Sequence, residues 1–163
     1  MAQSLISEEL RLCLLEQFLH ERYNASLYIQ IAGYLQNKGL DKLGEKFLGQ
    51  HDEEIGHSRL IYDFLIAMNA PFFVGEISEV KLDINSIMDI ANAYLDREKL
   101  TTQNLNEIKL LTISEQNGTA EEFLRSMVNR QINELEEASN FYDNAELTGN
   151  DWWKVQMWDK ALG

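Results

Sequence analysis

Cys13 is the only cysteine in the 163-residue chain, so a disulfide framework, a Cys₄ zinc site and a thiolate cluster are all excluded. Any metal site must therefore use oxygen and nitrogen donors. One proline, Pro71, and nine glycines are too few for a sheet protein with many turns, and long helices are the expected element. Basic residues are short as well: fourteen Lys and Arg face 27 Asp and Glu, a net charge of −13. That balance repels phosphate backbones and anionic lipid surfaces, so neither nucleic acid nor membrane is an expected partner. No stretch approaches the roughly 20 apolar residues that span a bilayer, and the N-terminus has no basic region leading into an apolar run. Together with the single thiol, this predicts a cytoplasmic protein. With 45% hydrophobic residues, the chain can build one sizeable core, and a single domain over 1–163 is expected.

What the chain does contain is helical periodicity. Ser7, ahead of Glu8 and Glu9, is an N-cap candidate for a first helix, α1, running to Leu35 and closed by Lys38-Gly39. Asp41 can cap α2, which runs through Phe47, Ile61 and Phe64 to Met68 and stops at Asn69-Ala70-Pro71. Residues 71–82 carry apolar side chains without helical spacing, a loop long enough to cross the length of a bundle. A third helix, α3, is expected from about Asp83 to Ser114. A fourth, α4, follows the Asn117-Gly118 break and runs from Thr119 to about Leu147, with Thr119-Ala120-Glu121-Glu122 as a capping box. A short α5 follows over about 151–162. Short α1–α2 and α3–α4 links and a long crossover between α2 and α3 predict an all-α, up-down four-helix bundle over about 7–147.

The apolar stripes contain carboxylates. In α1 the inward face reads Leu14, Phe18, Glu21, Ala25, Tyr28, Ala32 and Leu35. In α2 it reads Phe47, Glu54, Ile61 and Met68, with His57 three residues after Glu54. In α3 it reads Ile84, Ala91, Glu98 and Leu105, and in α4 Met127, Gln131, Glu134, Ala138 and Phe141. Each glutamate falls thirteen to fifteen residues past the expected start of its helix, so all four lie at one level of an antiparallel bundle. A lone glutamate on such a stripe is ordinarily a boundary residue reaching solvent. Four at one depth in a core are tolerated only with a compensating charge, and two divalent cations balance four carboxylates. Oxygen donors plus one imidazole suit iron or manganese.

In segments as well as spacing, the sequence resembles the bacterial non-haem ferritins, a family of ferritin-like di-iron bundles. The stretches that carry this are Glu21-Arg22-Tyr23-Asn24-Ala25-Ser26-Leu27-Tyr28, Phe47 to His57, Arg97-Glu98-Lys99-Leu100-Thr101-Thr102-Gln103 and Gln131-Ile132-Asn133-Glu134. The resemblance implies a two-iron ferroxidase centre in each subunit: Glu21 and His57 on the first iron, Glu98 and Glu134 on the second, and Glu54 bridging them. Gln131 and Tyr28 would hydrogen-bond the ligands or the reacting dioxygen. Glu53 matches a ligand of an accessory third iron and is a candidate accessory ligand, although the acidic partners of that site on α4 read Arg130 and Asn133 here, which leaves the third site open. Ile55 stands where bacterioferritins carry their haem-ligating methionine, so no haem is expected. Ser126 stands where the family usually carries a tryptophan near the centre, so any role in disposing of oxidising equivalents falls to Tyr28 or is absent.

The resulting expectation is an iron-storage ferritin that oxidises Fe(II) with O2 or H2O2 and holds the mineral in a hollow homo-oligomer. The resemblance implies a 24-subunit cage. Trp152, Trp153 and Trp158 on α5 are expected to bury against the bundle or a neighbouring subunit. Cys13, His20 and His51 are read as packing or ordinary polar residues. Two rivals are a non-storage di-iron oxidase or peroxide-consuming enzyme on the same bundle, and a metal-free interaction bundle.

Overall fold

The computed structural model describes residues 2–163, and among them it contains five α-helices and no strand. They are α1 (Glu8–Asn37), α2 (Asp41–Ala67), α3 (Ile87–Ser114), α4 (Gly118–Leu147) and α5 (Trp152–Ala161). α1 packs along α2, α3 along α4, and α1 also against α3. Residues 68–86, without regular structure, join α2 to α3. The fold is the expected all-α up-down four-helix bundle with a long crossover and a short fifth helix.

Where the helix ends depart from expectation, a side chain explains it. Ser7 caps α1 by accepting from the Leu10 amide at 3.0 Å. Asp41 does not cap α2; it is the first helical residue, and the N-cap position, Leu40, offers no side-chain acceptor. The orphan amide of Leu43 donates instead to Asp159 of α5 at 2.8 Å, so α5 supplies from afar the cap that α2 lacks locally. α3 begins at Ile87 rather than near Asp83, because Ser86 and Asp89 form a reciprocal capping box that fixes the start. The box proposed at Thr119 is absent. Asn117 caps α4 by accepting from the Ala120 amide.

The core has two apolar halves. One is built around Tyr28, Leu35, Phe47, Ile90, Tyr94 and Phe141 and is joined by Trp152 and Trp158 of α5. The other is built around Leu10, Leu14, Ile61, Leu65, Leu105 and Leu124. The polar layer described next lies between them.

Candidate metal centre

Glu21, Glu54, Glu98 and Glu134 are all buried, and His57 is nearly so. Their donor atoms form two clusters, Glu21–Glu54–His57 and Glu54–Glu98–Glu134, each with all atoms within 4.8 Å of one another. Glu54 belongs to both. His57 Nδ1 lies 3.8 Å from a carboxylate oxygen of Glu21 and 3.8 Å from one of Glu54. The i, i+3 spacing of Glu54 and His57 brings both to one face of α2.

Neutral donors hold some of these carboxylates in place. Gln17 donates to Glu21 at 2.9 Å, Tyr28 to Glu98 at 2.6 Å, and Gln131 to the other Glu98 oxygen at 2.6 Å. Both oxygens of Glu54, one of Glu21 and one of Glu134 are buried with no hydrogen-bond partner. Orphaned buried carboxyl oxygens are costly and rare, and here they converge on one space. A pair of divalent cations fits that donor set, since oxygen-rich ligation with one imidazole is the chemistry of iron and manganese.

The metal-free electrostatics are strained accordingly. Burial and the facing charge of Glu21 raise Glu54 well above the carboxylate range. Burial, then the nearby Glu53, pushes Glu134 up to about 9. Burial also raises Glu98, with Tyr28 and Gln131 opposing. Against the cost of burial, coupling to a protonated Glu54, the His57 imidazole and the Gln17 amide hold Glu21 at about 2. Although burial opposes it, Glu21 raises His57. At neutral pH the empty cluster therefore stores protons that an incoming cation must displace.

One heptad or one turn from the ligands, on the same faces, stand Tyr28, Phe47, Tyr94 and Phe141, one from each helix. Their rings meet edge-on or tilted at centroid distances of 5.1–6.0 Å. This aromatic layer closes the polar layer on one side, in the way interlocking aromatic edges pack a core. A cleft between α2 and α4, about 520 Å³, opens on His57 and Glu134 and is lined also by Glu53, Arg130, Asn133 and Glu137. Glu53 is exposed at this cleft and joins neither donor cluster. Arg130 and Asn133 share the cleft with it, placing a cation and an amide where further acids would be needed.

The remaining singled-out residues lie apart. His20 accepts from Arg97 at 2.9 Å and contacts Thr101 Oγ1 at 2.6 Å, and burial together with the Arg97 charge lowers it to about 4. It is a neutral member of a crease between α1 and α3. His51 donates from Nδ1 to the Ala25 carbonyl at 2.9 Å and lines the α1–α2 groove with Ile55. Cys13 is half-buried with its thiol raised by burial first, and Ser126 is exposed. Sequence reasoning missed Gln17, whose spacing four residues before Glu21 was the available signal, and the Arg97–Asn24–Thr101 network beside Glu98.

Comparison with known proteins gives a consistent answer. The model of the ferritin-like domain family matches residues 13–148. A probable bacterial non-heme ferritin-like protein of Haemophilus influenzae is 27% identical over 160 residues, covering 98% of this chain and 96% of its own length. A bacterial non-heme ferritin of Staphylococcus epidermidis is 23% identical over 158 residues, covering 97% and 95%. Among solved structures, a humanized archaeal ferritin superposes with a TM-score of 0.91 at 25% identity over 96% of this chain and 95% of that one. An open-pore ferritin from the archaeon Archaeoglobus fulgidus superposes with a TM-score of 0.91 at 24% identity, covering 96% and 97%.

Proposed function

Because the chain belongs to the ferritin-like domain family, we propose that it is an iron-storage ferritin, oxidising Fe(II) at a two-iron site in each subunit and retaining the Fe(III) as mineral within a hollow homo-oligomer. The observation that carries this reading is the convergence of four buried carboxylates and one imidazole at one level, with four carboxyl oxygens left unpartnered. Glu21 and His57 take the first Fe(II), Glu98 and Glu134 the second, and Glu54 spans both. Iron is here the substrate, and O2 or H2O2 is the oxidant.

The chain's own contribution is geometry and charge. Four ionised carboxylates match the charge of two Fe(II) while His57 binds as neutral imidazole, so a filled site is neutral in a dry core. Gln17, Tyr28 and Gln131 fix three carboxylate oxygens by donating to them, which holds the ligands in place before iron arrives. Oxidation adds one positive charge per iron, and oxygen-derived anions restore the balance. The Fe(III) then passes toward the mineral, where the acidic surface of this −13 chain offers further carboxylates.

The relatives named ferritins support assembly into a shell, proposed here as 24 subunits. A non-storage di-iron oxidase would fill the same site and stop there. Anaerobic titration with Fe(II), read by metal analysis, tests the site: two Fe(II) per chain are expected, and Glu54→Ala should lose both. A full complement in that variant would place the metal elsewhere.

A further inference from the structure

Tyr94 is fully buried, and its hydroxyl is the one phenol oxygen among the described residues that is buried without any hydrogen-bond partner. The usual reason for a tyrosine in a core is a bonded hydroxyl, since phenylalanine fills the same space without the desolvation cost. Burial first, and then the more distant charges of Glu98, Glu134, Glu137 and Glu53, hold this phenol above its usual range. Its ring meets that of Tyr28 edge-on at 5.3 Å, and Tyr28 in turn donates to Glu98 at 2.6 Å. On its far side Tyr94 contacts Phe141 at 5.8 Å, and Phe141 contacts Trp158 of α5 at 5.0 Å. Two phenols in direct ring contact, one bonded to a ligand carboxylate, thus close the layer above the site.

We propose that Tyr94 is a second electron-donating phenol that works as a pair with Tyr28, so that one dioxygen is reduced to water at one site. This inference rests on the ferroxidase reading. Dioxygen needs four electrons and four protons to become two waters, and two Fe(II) supply only two electrons. The pair supplies the rest: each phenol loses one electron and its hydroxyl proton, giving a neutral tyrosyl radical. The O–O bond breaks, the two phenol protons and two from solvent complete the waters, and two Fe(III) remain. Two further Fe(II) then return one electron to each radical, and solvent returns the protons, so both phenols are restored. Glu98, which accepts the Tyr28 hydrogen bond at 2.6 Å, is placed to receive the proton of Tyr28 on its way to the waters. The ring contact lets an electron vacancy formed on Tyr28, nearer the irons, pass to Tyr94 and leave Tyr28 free to donate again.

The test compares wild type, Tyr94→Phe and Tyr28→Phe. First, the metal-free Tyr94→Phe protein should melt no lower than wild type, because the deleted hydroxyl is unbonded; a clear loss of stability would show that it has a structural partner and would overturn the premise. Second, each protein is mixed with two Fe(II) per chain and one O2 per chain, then frozen for electron paramagnetic resonance and assayed for released H2O2. Wild type should give a tyrosyl signal, narrowed by ring-deuterated tyrosine, and little peroxide. Tyr94→Phe should oxidise iron at a rate within about two-fold of wild type, lose at least half the radical and release several-fold more peroxide. Unchanged radical and peroxide alongside normal iron oxidation would overturn the tyrosine pair and leave the ferroxidase reading intact. No iron oxidation in wild type would overturn both.

Discussion

Glu54 reaches both donor clusters while neither of its oxygens has a hydrogen-bond partner, whereas its neighbour Glu53 faces the open cleft. Adjacent helical residues point about 100° apart, and that rotation separates a bridging ligand from a surface acid. Glu54→Ala should therefore lower the initial rate of Fe(II) oxidation by a hundred-fold or more in stopped-flow absorbance, with Glu53→Ala within a few-fold of wild type. The pH behaviour also resides in single residues. Burial, then the nearby Glu53, raises Glu134 from the ordinary carboxylate value of 4.5 to about 9 on folding, so the folded metal-free protein holds a proton that the unfolded chain has released. Its contribution to stability is fully present below about 4.5 and is lost as pH rises toward about 9. Glu54 and His57, also raised, act in the same direction, while Glu21, held at about 2, contributes stability that is present above about 4.5 and is lost as pH falls toward about 2. Urea denaturation of metal-free protein should thus weaken from pH 5 to pH 9. Adding Zn(II) at pH 7 should release protons, read with an indicator dye, because the metal displaces those held by the raised carboxyls; no release would mean the cluster is already ionised.

At the scale of elements, the 3.6-residue pattern made four helices and their inward faces legible in the sequence, and every stripe residue from Leu14 to Leu35 on α1 is buried. Helix ends were less legible because several choices of cap compete locally. Ile84 carried the apolar pattern of α3 backward past Ser86, where the capping box stops it. The cap of α2 lay beyond any local rule, since Asp159 and Leu43 are 116 residues apart. That bond gives α5 a task within its own chain: Trp152 and Trp158 pack on the core while Trp153 remains 66% exposed. Asp159→Ala should cost about 1–2 kcal/mol in denaturant unfolding, since it strips a buried amide of its acceptor. Deleting residues 151–163 should cost more and leave the rapid oxidation of the first irons in place, because every proposed ligand lies on α1 to α4.

Across the whole molecule, the convergence of four glutamates at one level was legible from their depth, a pattern that needs only helix starts to within a turn. What the sequence could not display was the environment: which oxygens lack partners, that Tyr94 is orphaned, and that Gln17 bonds Glu21. Those follow from how side chains of distant helices meet. Binding should couple to folding, since the empty layer sets like charges and trapped protons between two apolar halves. A redox-inert divalent cation at 100 times its Kd should raise stability by about 2.7 kcal/mol, read as a higher Tm by calorimetry, and an unchanged Tm would mean that the carboxylates do not take up metal. The most direct test of iron storage is aerobic addition of Fe(II) in increasing excess, followed by size-exclusion chromatography with iron counting on the eluted particle. The account predicts rapid oxidation of two irons per chain, then continued uptake to many irons per chain in a soluble particle far larger than the 18.9 kDa chain. Uptake that ends at two irons per chain in a monomer or small oligomer, with further Fe(III) precipitating outside it, would contradict it.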